Sequence, residues 1–66
     1  MTFGQRLREL RKAKGMTQRE LAQKTGISFA YVSKLETGVM PPPRQKIILA
    51  LAKVLGANNA DTDELF

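Results

Sequence analysis

Thr17-Gln-Arg-Glu-Leu-Ala-Gln-Lys-Thr-Gly-Ile-Ser-Phe-Ala-Tyr-Val-Ser-Lys-Leu-Glu-Thr-Gly38 reads as two short helices joined by a tight turn. Thr17 is a good N-cap, and Glu20 three residues later completes a capping box. Leu21 and Ala22 supply the inward face, and Gly26 ends the helix because glycine takes the left-handed conformation without penalty. Ser28 then caps a second helix that runs to about Glu36, with Gly38 as its stop. Gly26, Ile27 and Ser28 alone separate the two helices, a turn length that suits a helix-turn-helix over residues 17–36.

The side chains divide the second helix into two arcs. At about 100° per residue, Ser28, Tyr31, Val32, Leu35 and Glu36 share one side. Ala30, Ser33, Lys34 and Thr37 share the other, with Phe29 on its edge. That outward arc is short, small or cationic, which suits a surface entering a groove. Ala22 faces the crossing point, where a larger side chain would push the second helix away.

Working outward, Phe3, Leu7 and Leu10 predict an amphipathic helix over residues 2–14, with Thr2 as cap and Gly15 as stop. Met16 is placed to staple against Leu21. On the other side, Val39 to Pro43 is a loop, because three consecutive prolines forbid helix there. Pro41-Pro42-Pro43 is read as a rigid connector rather than a proline-recognition ligand. The next helix is expected to begin at Pro43 or Arg44, with Ile47, Ile48, Leu51, Val54 and Leu55 on one broad face and Leu49 and Ala50 away from it. Gly56 stops it. Asp61 is expected to cap a fifth, short helix carrying Glu64, Leu65 and Phe66. Ending in mid-pattern on two apolar residues, the chain is expected to continue in a longer natural protein.

Composition narrows the function. Sixty-six residues make one domain near the lower size limit for unaided folding. There is no cysteine and no histidine, which removes thiolate chemistry, the usual neutral-pH base and the commonest metal ligand. An enzyme is therefore not expected, and no cofactor, metal or small-molecule ligand is evident. The run Ile47–Ala52 is too short to span a bilayer and the N-terminus lacks a signal peptide's apolar core, so a cytoplasmic location is expected. The formal net charge is +5. Residues 1–34 hold eight Lys/Arg against Glu9 and Glu20, so the excess cation lies on the half that carries the helix pair.

Gln18, Leu21, Ala22, Gly26, Ile27, Val32 and Leu35 fall where the phage-repressor helix-turn-helix family (Cro and lambda-repressor-like, or XRE-type) keeps its signature residues. The flanks Arg6-Leu-Arg-Glu-Leu-Arg11, Leu35-Glu-Thr-Gly38 and Leu51-Ala-Lys-Val-Leu-Gly56 match too, so the chain resembles this family over nearly its whole length. The resemblance implies an all-α, compact five-helix, lambda-repressor-like domain over residues 1–66. It also implies that residues 28–36 form a recognition helix for the major groove of double-stranded DNA.

On that basis Phe29, Ala30, Ser33 and Lys34 are the candidate base contacts, with Lys34 suited to guanine and Phe29 and Ala30 to thymine methyl groups. Several family members carry glutamine where this chain has Phe29, Ala30 and Lys34, so bidentate reading of adenine is unavailable at these positions. Phe29 has a second reading, tucked into a neighbouring side chain. Gln18, Thr37, Gly38 and Arg44 are candidate phosphate contacts. Ser28 is read first as a cap and second as a phosphate contact, and Tyr31 either borders the core or offers its hydroxyl to a phosphate. Arg19 and Lys24 are read as general contributors to the field. The resemblance also pairs Arg11 with Glu36, against the alternative of an exposed arginine.

A homodimer on a palindromic operator is expected, as in a repressor. Three other readings compete with this one. Asp61-Thr-Asp-Glu64 lacks the glycine and distal glutamate of a calcium loop, and helix 2–14 lacks the interfacial aromatics of a membrane-surface helix. The serious alternative is a protein-interaction module, such as an antitoxin or adaptor using the same helix pair.

Overall fold

A computed structural model describes residues 2–56 of the chain. Four helices follow one another with no strand among the described residues: α1 (Phe3–Ala13), α2 (Gln18–Thr25), α3 (Phe29–Thr37) and α4 (Gln45–Leu55). The fold is all-α. The fifth helix expected after Asp61 lies outside the described residues.

Each helix start has a local cause. Thr2 Oγ1 accepts from the Gln5 amide at 3.2 Å while Gln5 Oε1 accepts from the Thr2 amide at 3.0 Å. Thr17 and Glu20 repeat that box at 3.1 and 3.0 Å, and Ser28 Oγ accepts from the Tyr31 amide at 3.1 Å. These bonds satisfy amides that a helix start otherwise leaves unpaired. The start of α4 differs from expectation. Arg44 is its N-cap, in extended conformation and without a side-chain cap bond, and the helix proper begins at Gln45. Pro43 is buried, so the loop anchors one residue earlier and the chain turns at Arg44.

Leu7, Leu21, Val32, Leu35 and Leu51 are fully buried, one or two from each helix. Ala22 and Leu55 complete this core, and Phe3, Leu10, Met16, Ile27, Tyr31, Ile47 and Val54 pack around it. Both α1 and α2 pack on α3, and α4 packs on α2. The apolar face of α4 is the expected one, with Leu51 and Leu55 buried and Ile47, Ile48 and Val54 half-buried, and Ala52 is buried beside it. Ala52 lies about 100° round from Leu51, and its short methyl is shaded even at that margin.

One close approach has no counterpart in the expectations from sequence. Gly4 is buried in the first turn of α1. A Cβ there would overlap the carbonyl oxygen of Leu35 and stand 2.8 Å from that of Glu36. Glycine is what lets α1 lie directly on the last turn of α3.

Candidate nucleic-acid interface

The turn between α2 and α3 presents the second helix outward. Gly26 sits at φ 78°, ψ 11°, a left-handed conformation that costs a residue with a Cβ about 1–2 kcal/mol. Its amide donates to the Ala22 carbonyl at 2.9 Å, closing α2. With Ala22 buried at the crossing, Val32 and Leu35 drop into the core and the opposite side of α3 faces solvent. Ala30, Lys34 and Thr37 are exposed on that side, and Ser33 is half-buried at its margin. Tyr31 packs against the core, so its ring borders the interior.

Phe29 is 42% exposed, and the Arg19 guanidinium lies over its ring at 4.7 Å from the centroid. Phe29 thus contacts a neighbouring side chain while staying exposed, and Arg19 is a specific partner of α3. Such a pair at an exposed site is worth about 0.5–1 kcal/mol. No local rule of spacing finds it, because the two residues meet across the turn.

Beneath this surface a buried polar network holds three helices. Arg11 Nε donates to Glu36 Oε2 at 2.6 Å and Nη2 donates to Oε1 at 3.0 Å, a bidentate pair. Arg11 Nη1 donates to the Met16 carbonyl at 2.8 Å. Gln18 Nε2 donates to Glu36 Oε1 at 3.1 Å. Hydrogen bonding to Glu36 raises the Arg11 pKa further above its ordinary value, against the opposing effect of burial. No buried side-chain nitrogen or oxygen among the described residues is left without a partner. The network ties α1 and the start of α2 to the last turn of α3, so the ends of the helix pair move as one piece.

The candidate phosphate contacts fare unequally. Gln18 and Thr37 line one polar notch with Arg8, Arg11 and Glu36. Gln18 has committed one amide hydrogen to Glu36 and keeps the other. The Gly38 amide, by contrast, donates to the Leu35 carbonyl at 3.3 Å. The Thr37 hydroxyl donates back to the Ser33 and Lys34 carbonyls at 3.0 and 3.3 Å. Both donors are spent closing α3, because the last turn of a helix leaves carbonyls that need partners. The Ser28 hydroxyl oxygen caps α3 and its hydrogen remains free to donate. Arg44 is exposed beside the uncapped amides of α4.

Among the described residues no cluster of three or more His, Cys, Asp or Glu could hold a metal. No helix there is long and apolar enough to cross a membrane.

Comparison with known proteins points the same way as the geometry. A family model described as a helix-turn-helix domain matches residues 2–65. The chain is 49% identical over 53 residues to the HTH-type transcriptional regulator RghRB of Bacillus subtilis, covering 80% of this chain and 38% of that protein. It therefore spans well under two thirds of this curated relative. Among solved structures, the biofilm master regulator SinR in complex with DNA superposes with a TM-score of 0.87 at 30% identity, covering 97% of each chain. The restriction-modification controller protein C.AhdI from Aeromonas hydrophila superposes with a TM-score of 0.84 at 44% identity, covering 97% of this chain and 91% of the other.

Proposed function

Because this chain belongs to the helix-turn-helix domains of XRE-type transcriptional regulators, a family of regulators and not of enzymes, we propose that it binds double-stranded DNA sequence-specifically, with α3 in the major groove. One observation carries this reading: α3 buries Val32 and Leu35 yet leaves Phe29, Ala30 and Lys34 exposed, on a half of the chain with excess positive charge. An α-helix fits the major groove, where each base pair shows a distinct pattern of donors, acceptors and methyl groups. Phosphate neutralisation supplies affinity, and base edges supply discrimination.

In this reading Lys34 donates to guanine, Phe29 and Ala30 pack on thymine methyl groups, and Ser33 reaches the edge of the same site. Gln18 and Ser28, at the N-termini of α2 and α3, hold one phosphate strand, where helix-end amides already favour an anion. Tyr31 and Arg44 extend that contact, while Thr37 and Gly38 mark its rim without a donor to give. Residues 1–66 act as a single DNA-binding domain. The protein works as a cytoplasmic repressor, as a homodimer on a palindromic operator. SinR crystallised with DNA in the same fold supports this reading.

Selection of sites from a random duplex pool at fixed salt tests it. A defined half-site should emerge, and its affinity should fall steeply as salt is raised. Absence of any preference among duplexes, at low as well as moderate ionic strength, would refute sequence-specific binding and favour a protein partner for the same helix pair.

A further inference from the structure

The Arg19–Phe29 contact joins a residue already read as a thymine contact to one that the reading above leaves without a task. Arg19 is the second residue of α2 and Phe29 the first of α3, and both are exposed. No carboxylate among the described residues takes up the Arg19 charge; the ion pair there is Arg11 with Glu36. Phe29 leaves much of its ring in water.

We propose that Arg19 and Phe29 form one composite reader of a thymine next to a guanine in the major groove, the ring packing on the thymine methyl and the guanidinium donating to guanine O6 and N7. The inference rests on the DNA-binding reading and adds a base-reading residue from α2.

Three physical points carry it. A guanidinium held over an aromatic face at 4.7 Å from the centroid spends none of its five N–H donors on a hydrogen-bond acceptor, so they remain available to a base edge. Stacking on Phe29 restricts a long, flexible side chain before DNA arrives, which reduces the ordering cost of binding. The two groups also offer adjacent surfaces of opposite character, one apolar and one a planar donor fork. A thymine methyl beside a guanine edge presents the matching pair in the major groove. Lys34, more than a turn further along α3, is left to address a different base pair.

Two competing roles predict different results. Arg19 acting only on a phosphate would add affinity on every sequence alike, and a stack serving only as a staple between helices would affect folding alone. The test is site selection at fixed salt with the parent chain, R19A, F29A, R19K and the R19A/F29A double variant, alongside thermal melts of each. The parent is expected to select a thymine–guanine step. R19A and F29A should each lose preference, by about tenfold in relative affinity, at those same two neighbouring positions. The double variant should lose little more than either single one, and R19K should not restore the preference, because an ammonium lacks the planar fork.

Uniform weakening by R19A with a salt slope lower by about one would overturn the proposal in favour of phosphate contact. Melting shifts with an unchanged selected site would overturn it in favour of a staple. Effects at different positions, or independent and additive ones, would refute a composite reader. A parent chain with no preference would instead fell the DNA reading itself, and this inference with it.

Discussion

At the scale of single residues, charge and hydrogen bonding assign separable tasks to neighbouring side chains. Lys34 is exposed on the outward arc of α3, so in the DNA-binding reading its ammonium serves binding and contributes little to folding. Lys34→Ala should lower affinity for the selected site by about 1–3 kcal/mol and relax preference at one base pair, with the melting curve nearly unchanged. Equal loss on every duplex would reassign it to a phosphate. Glu20 serves the fold, closing the capping box at the start of α2. The Thr17 amide, and after it the Thr17 hydroxyl, hold the Glu20 carboxyl below its ordinary value of 4.5. A carboxyl with a lowered folded-state pKa contributes stability that is fully present above its unfolded value and is lost as pH falls through the folded one. Glu20→Gln keeps an oxygen that can accept from Thr17 but removes the charge. The parent should therefore exceed Glu20→Gln in stability above about pH 4.5, and chemical denaturation across an acid series should show the gap closing below it. A gap independent of pH would mean that the ionised carboxylate contributes nothing to the cap.

At the scale of elements, two devices fix α1 against α3. One is the buried network. Removing one member of a buried ion pair leaves the other charge without compensation, at about 3–5 kcal/mol. Glu36→Ala strands Arg11 and also frees Gln18, so it should cost at least that much and unfold a large fraction of so small a domain at ambient temperature. Circular dichroism melts would show it, and a shift of only a degree or two would contradict burial of the pair. The other device is Gly4. Alanine normally gains close to 1 kcal/mol over glycine inside a helix, but here its methyl would meet backbone oxygens that cannot rotate away. Overpacking of this kind costs about 1–3 kcal/mol, so Gly4→Ala should lower the melting temperature despite the better propensity. A rise would show that α1 does not lie so close to α3.

For the whole molecule, the DNA-binding reading raises the question of how 66 residues would select one site on a duplex. In that reading one α3 would reach only a few base pairs, and two-fold pairing would double the site. The dimer reading predicts half-sites about 34 Å apart along the duplex. Footprinting together with sedimentation of the complex measures both spacing and stoichiometry, and a short asymmetric site saturated by one chain would reject the dimer. Leu49 is 49% exposed and Val39 70% exposed, so apolar surface remains outside the core on the side of α4 and the loop before it.

The helix pair was legible in the chain because its signals are local. Thr17 with Glu20, Ser28 before Phe29 and Gly26 in the turn each act within four residues, where backbone geometry leaves little choice. The buried core followed from spacing of three and four along each helix, and Ala52, beside the expected face of α4, is short enough to be shaded at its margin. Gly4 was within reach of the same rule, since Gly4, Leu7 and Arg11 share a face, yet a glycine gives no apolar signal to count. Packing brought Arg19 over Phe29 and set Gln18 on Glu36, while closure of the end of α3 engaged the donors of Thr37 and Gly38. These contacts join different helices or depend on how a helix end closes. Caps and periodicity say where a helix lies along the chain, but the angle and distance at which it meets its neighbour come from how the side chains interlock.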